Sequence, residues 1–133
     1  MNNKAFTLVE LLIVIGIIMI LSASVIISIN PGLQMREARN NQREAHLSAL
    51  YGAFMEYNSR EGDWPPCVSS SSTDVHYCDE ITPDFINEVP EDPDSDCEEI
   101  TGYFVKESFE GRIGLRAECT EGGGSKIKVG TWD

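Results

Sequence analysis

Two hydrophobic patterns divide this chain. From Phe6 to Ile29 it is apolar without interruption except for one formal charge, Glu10. As a helix rising ~1.5 Å per residue that run is about 36 Å long, enough to cross a bilayer's hydrocarbon core. Ser28-Ile29-Asn30-Pro31-Gly32 interrupts it, because proline lacks the N–H and its ring clashes with the preceding turn. Gly16 is a second weak point. After Pro31 a helical period returns: Leu47, Leu50, Tyr51, Phe54 and Tyr57 fall at i, i+3, i+4, i+7 and i+10 and draw one apolar stripe. The spacing predicts an amphipathic continuation over 30–60 that lays this stripe on a sheet. It should end near Ser59-Arg60-Glu61-Gly62-Asp63-Trp64-Pro65-Pro66, a glycine followed by two prolines.

Beyond that point the period shortens. Val68–Thr73 reads as a serine-rich loop, and Thr82-Pro83-Asp84-Phe85-Ile86-Asn87 as one helical turn. Tyr103–Ser108, Arg112–Cys119 and Lys126–Trp132 read as strands, separated by Gly111 and by Gly122-Gly123-Gly124. In the second, Ile113, Leu115, Ala117 and Cys119 alternate with Arg116 and Glu118, so one face should be buried. The predicted fold is α+β: a long N-terminal helix, half membrane-spanning and half amphipathic, packed on a small antiparallel β-meander.

Charge sharpens this division. Residues 1–60 carry five Lys/Arg and four Asp/Glu, whereas 61–133 carry five Lys/Arg against 18 Asp/Glu. So acidic a half repels phosphate backbones, and general nucleic-acid binding is not expected of it. All four cysteines, Cys67, Cys78, Cys97 and Cys119, lie there. With 133 residues, part of them in the apolar run, the remaining core is small enough to need staples. No C-x2-C pair exists and His76 stands alone beside Cys78, so disulfides in an oxidising compartment fit better than zinc. Four cysteines allow three pairings. The expected one, without nesting, is Cys67–Cys78 with Cys97–Cys119.

A carboxylate in hydrocarbon costs roughly several kcal/mol, so Glu10 calls for a reason. The flanks of the apolar run are the reverse of a secretory signal: Lys4 is the only basic side chain before it, and the small residue Ala5 precedes the core rather than following it. Lys4-Ala5-Phe6-Thr7-Leu8-Val9-Glu10-Leu11-Leu12 resembles the class III leader and methylation motif of type IV pilins and pseudopilins. The resemblance implies a leader over 1–5, cleavage between Ala5 and Phe6 by a prepilin peptidase, and N-methylation of Phe6. Ala5 departs from the family's usual glycine. The resemblance further implies a polymerisation helix over 6–29, with Glu10 pairing the new amine of Phe6 on a neighbouring subunit. The other partners implied are copies of the chain and other pilin-like subunits, an assembly platform protein and its ATPase. The location implied is the cytoplasmic membrane for the precursor, then an extracellular filament or a periplasm-spanning pseudopilus. Val89-Pro90-Glu91-Asp92-Pro93 is similar to a Leu-Pro-x-Asp-Pro stretch common in short pilins and the major pseudopilin.

Three arginines after the span outnumber Lys4 before it, which by the positive-inside rule would put the globular part in the cytoplasm. The leader and the cysteines place it outside. Arg36, Arg39 and Arg43, at i, i+3 and i+7, read as a basic stripe that is either solvated or docked on acidic neighbouring subunits. His46 reads as a surface or filament-contact residue. Asp92, Asp94 and Asp96 alternate, an oxygen-rich spacing that makes calcium a candidate cofactor, with family precedent among pilin-like proteins. An EF-hand is excluded, since Cys97 stands where its glycine belongs and Tyr103 where its closing glutamate belongs. No catalytic motif is present: G-x-S-x-G, P-loop and H-E-x-x-H are all missing, and no enzyme is expected. The leading reading is a structural subunit of a type IV pilus-like filament. The alternatives are a type II secretion pseudopilin and, from another class, a monomeric single-pass anchor displaying an acidic binding domain (61–133).

Overall fold

The structure, a computed structural model, describes residues 6–28, 30–97, 100–121 and 126–132. The leader with Lys4 and Ala5, Ile29, and the glycine run Gly122–Gly124 lie outside the described residues. The chain divides into two compact units, Met1–Met35 and Arg36–Asp133.

The apolar run forms α1, Leu8–Ser28. Its window Leu8–Ile26 is long and apolar enough to cross a membrane, and none of it is buried in the protein. A helix apolar on every side, with no protein covering it, belongs in a non-aqueous environment. The predicted interruption stands between α1 and α2, Pro31–Glu61. Asn30 takes a left-handed conformation (φ 36°), which asparagine tolerates better than most residues, and Pro31 fills the first helical position, where its missing N–H costs nothing. The far end of α2 closes on Gly62 (φ 81°), whose N–H donates to the Asn58 carbonyl at 2.9 Å.

In the larger unit a four-stranded antiparallel sheet runs in the order β1 (Thr73–Asp74), β2 (Tyr103–Glu107), β3 (Ile113–Ala117), β4 (Lys128–Gly130). The fold is therefore α+β and pilin-like, with strands β2 to β4 inside the predicted runs. The predicted meander has three strands, and the structure adds β1, a two-residue edge strand that emerges from the serine-rich loop. So short a strand has no alternation to announce it. Its place is set by Asp74, buried, whose Oδ1 accepts from the Thr101 hydroxyl at 2.6 Å and from the His76 N–H at 2.8 Å. The predicted helical turn over Thr82–Asn87 also starts earlier, as 3₁₀ turns at Val75–Tyr77 and Asp79–Ile81.

The core joins Leu47, Leu50 and Phe54 of α2 to Tyr103, Val105, Ile113, Leu115 and Ala117 of the sheet, with Val75 and Ile81 closing one side. Tyr51 and Tyr57 pack at its margin. Each fully buried Leu, Val or Phe contributes about 1.5–3 kcal/mol relative to exposure, so this core is modest. Disulfides Cys67–Cys78 and Cys97–Cys119 close rings spanning 11 and 22 positions around it.

Candidate functional site

Two clusters carry the polar chemistry. The first is the head of α1. Thr7 is the N-cap, and Thr7-Leu8-Val9-Glu10 forms a reciprocal capping box. The Thr7 N–H and hydroxyl both donate to Glu10 Oε2, at 2.9 Å each, while the Glu10 N–H donates to Thr7 Oγ1 at 3.2 Å. Four backbone N–H groups are orphaned at any helix start, and in a bilayer no water satisfies them. Glu10 thus has a task inside its own subunit: it answers the N–H at the entry to the apolar helix. Phe6 beside it is 85 % exposed. The threonine three residues before Glu10 is the signal in the sequence for this box.

The second cluster corrects the arginine stripe. Arg43 is completely buried, and its guanidinium grips Asp92 bidentately: Nε to Oδ2 at 2.8 Å and Nη2 to Oδ1 at 2.6 Å. Its Nη1 donates to Asn40 Oδ1 at 2.8 Å and lies 3.6 Å from Glu121 Oε1. Arg39 holds Glu121 through both of its oxygens, and Arg36 reaches the same carboxylate at 3.8 Å. Two of the three arginines therefore tie α2 to its own subunit's loops rather than facing a solvated or neighbouring surface. The clue in the sequence was position: Arg43, Leu47, Leu50 and Phe54 share one face of α2, so Arg43 extends the apolar stripe. The hydrogen bond from Arg39, followed by the arginine charges, holds the Glu121 carboxyl below its ordinary range. The bond to Asp92 raises Arg43 against the burial that opposes its charge.

His46 also departs from the surface role expected of it. It is half-buried, with Nδ1 2.8 Å from the Tyr103 hydroxyl and the two rings edge-to-face. Burial lowers its pKa, Asp92 opposing, and burial raises that of Tyr103.

The three aspartates read for calcium do not converge. Both Asp92 oxygens are engaged by Arg43, and Oδ1 also accepts the Asp94 N–H at 2.9 Å. Asp94 Oδ1 accepts the Asp96 N–H at 3.3 Å, an Asx-type loop that uses the carboxylates to shape backbone. Among the described residues no group of three or more His, Cys, Asp or Glu side chains is placed to hold a metal ion. Among the described residues, Asp92, Asp94 and Asp96 do not form a calcium site.

Compared with known proteins, residues 1–26 match the family model of the prokaryotic N-terminal methylation motif, the class III pilin leader signature. No curated protein and no solved structure matches the chain. The motif supports a type IV pilin-like or pseudopilin precursor, with processing by a prepilin peptidase and a membrane-anchored location before assembly.

Proposed function

We propose that this chain is the precursor of a structural subunit of a type IV pilus-like filament, cut between Ala5 and Phe6, N-methylated at Phe6 and polymerised through its N-terminal helix. The observation that carries this reading is the methylation motif over residues 1–26, continuous with a helix that is apolar all round. Cleavage creates an α-amino group on Phe6, a positive charge at the edge of hydrocarbon. Glu10 of a neighbouring copy neutralises that amine during assembly, since a paired charge costs far less in an apolar core than two separate ones. In the unassembled subunit the Thr7 capping box gives Glu10 its partners. Assembly adds an ionic partner to a carboxylate already oriented at the helix head. The subunit waits in the inner membrane, and an assembly platform with its ATPase extracts it into the filament. The role is structural, and no catalytic step is assigned to the chain.

Mass spectrometry of the N-terminus of the mature protein tests this. The expected first residue is N-methylated Phe6. A mature chain that begins at Met1, or beyond Ile29, contradicts the proposal.

A further inference from the structure

The serine-rich loop has had no part in the chemistry so far. Ser69, Ser70, Ser71, Ser72 and Thr73 are five consecutive hydroxyl residues inside the ring closed by Cys67–Cys78. Both ends of the run are fixed to β2. The Ser69 carbonyl accepts the Glu107 N–H at 2.8 Å, and Thr73 of β1 pairs with Val105. The hydroxyls between these anchors divide the work unevenly. Ser69 Oγ accepts the Ser71 N–H at 3.3 Å and donates to the Ser71 carbonyl at 3.2 Å, and Thr73 Oγ1 donates to that carbonyl at 3.5 Å. Those two hydroxyls close the bend. Ser70, Ser71 and Ser72 are exposed, and their hydroxyls make no hydrogen bond among the described residues.

A bend needs only turn-forming residues, and Asn, Asp or Gly would serve it as well. Three idle hydroxyls in succession are therefore not explained by the backbone that carries them. Charge is the second observation. Between Asp63 and Asp74 no residue is charged, although residues 61–133 hold 18 Asp/Glu. Pro65 and Pro66 lead into the run, and Ser/Thr runs beside proline are the composition of O-glycosylated segments. A sugar reaches a protein from a phosphate-bearing donor, which carboxylates repel. An uncharged loop on an acidic unit is where such a donor and its transferase approach unopposed. Phosphorylation would use the same hydroxyls, but its nucleoside triphosphate donor belongs to the cytoplasm, whereas two disulfides belong to an oxidising compartment.

We propose that Ser70, Ser71 or Ser72 is the acceptor of an O-linked glycan. The serine Oγ forms a bond to the anomeric carbon of the donor sugar. The bond from that carbon to the donor's diphosphate breaks, and the diphosphate leaves with the electron pair. The hydroxyl proton passes to a base on the transferase, so nothing is oxidised or reduced. The donor class is a sugar carried on a lipid diphosphate, which the membrane supplies outside the cytoplasm. The compartment rests on the filament reading, in which the larger unit leaves the cytoplasm, while the acceptor site does not depend on polymerisation.

Peptide mass spectrometry of the subunit, taken from both the membranes and the surface-sheared material of the cells that make it, tests the proposal. Electron-transfer fragmentation keeps an O-linked group in place during sequencing. The peptide that holds the serine run should carry a mass increment of whole sugar units, located on Ser70, Ser71 or Ser72. The combined variant Ser70→Ala, Ser71→Ala, Ser72→Ala should lose that increment completely while both disulfides persist. Serines of unmodified mass overturn the proposal, as does an increment of phosphate or a sugar confined to other residues. The N-terminal peptide of the same digest reads the processing separately. N-methylated Phe6 beside unmodified serines overturns the glycan alone. A chain that still begins at Met1 and carries the glycan supports the acceptor site and overturns the cleavage reading.

Discussion

Arg43 is a full charge in a core position, and it is tolerable only because Asp92 meets it with two hydrogen bonds while Asn40 takes a third. Removing one member strands the other. Asp92→Asn should therefore destabilise the larger unit by roughly 3–5 kcal/mol, whereas Arg43→Met with Asp92→Leu should recover most of that loss. Denaturant titration of the full chain in detergent distinguishes the two, and equal losses for the single and double variants contradict this view of the pair. His46 provides a pH signature. Its burial depresses its pKa below 6.5, so as the pH falls through that value the unfolded chain takes up a proton that the folded chain resists. Stability is fully present above pH 6.5 and declines below it. A second decline begins beneath 4.5, where Glu118, held low by Lys126, and Glu121, held low by Arg39, keep their charge in the fold alone. In His46→Gln, the denaturation midpoint against pH should lose the first decline and keep the second. A first decline that survives the substitution assigns it to another group.

At the scale of elements, the loops depend on one backbone position. Gly102 has φ 75°, and a Cβ there would lie 3.0 Å from Asp92 Cβ and 3.1 Å from Cys97 Sγ. Its carbonyl accepts the Glu118 N–H at 2.9 Å, beside the Thr101 carbonyl that accepts the Asp92 N–H. Gly102→Ala should cost about 1–2 kcal/mol for the left-handed backbone alone, with the crowding added to it. Thermal unfolding should show a lowered midpoint, and an unchanged midpoint rules out this close approach. The elements differ in how much of them the sequence disclosed. α1 was readable as an unbroken apolar run, α2 and β3 because their periods repeat, and β2 and β4 from the glycines that bound their runs. β1 was not, since two residues have no period and Asp74 is held there by Thr101, 27 positions away. The Arg43–Asp92 pair was half visible: the helix face could be read, while its partner lies 49 positions on and needs the folded chain to name it. The capping box was fully spelled in Thr7-Leu8-Val9-Glu10, on the same carboxylate that the proposed intersubunit contact would use.

The whole molecule joins an apolar helix fit for a bilayer to an acidic, doubly cross-linked unit with a modest core. Neither property alone explains a carboxylate at the entrance to the apolar segment. The capping box gives Glu10 partners within one subunit, and the proposed function gives it a further one, the Phe6 amine of a neighbour. Substituting Glu10→Ala removes both at once, whereas Glu10→Gln keeps an oxygen for the Thr7 N–H and removes only the charge. Loss of one partner from a buried pair costs roughly 3–5 kcal/mol, and in the proposed filament that loss would recur at every subunit added. Membrane insertion should persist, because alanine leaves the span as long and more apolar. Cleavage should persist too, since Ala5 and Phe6 are untouched. The decisive measurement is electron microscopy of surface-sheared material from Glu10→Ala cells, with the processed subunit quantified in their membranes. The account predicts processed subunit accumulating in the membrane with few or no filaments. Abundant filaments of normal appearance would contradict it and leave Glu10 with its helix-capping role alone.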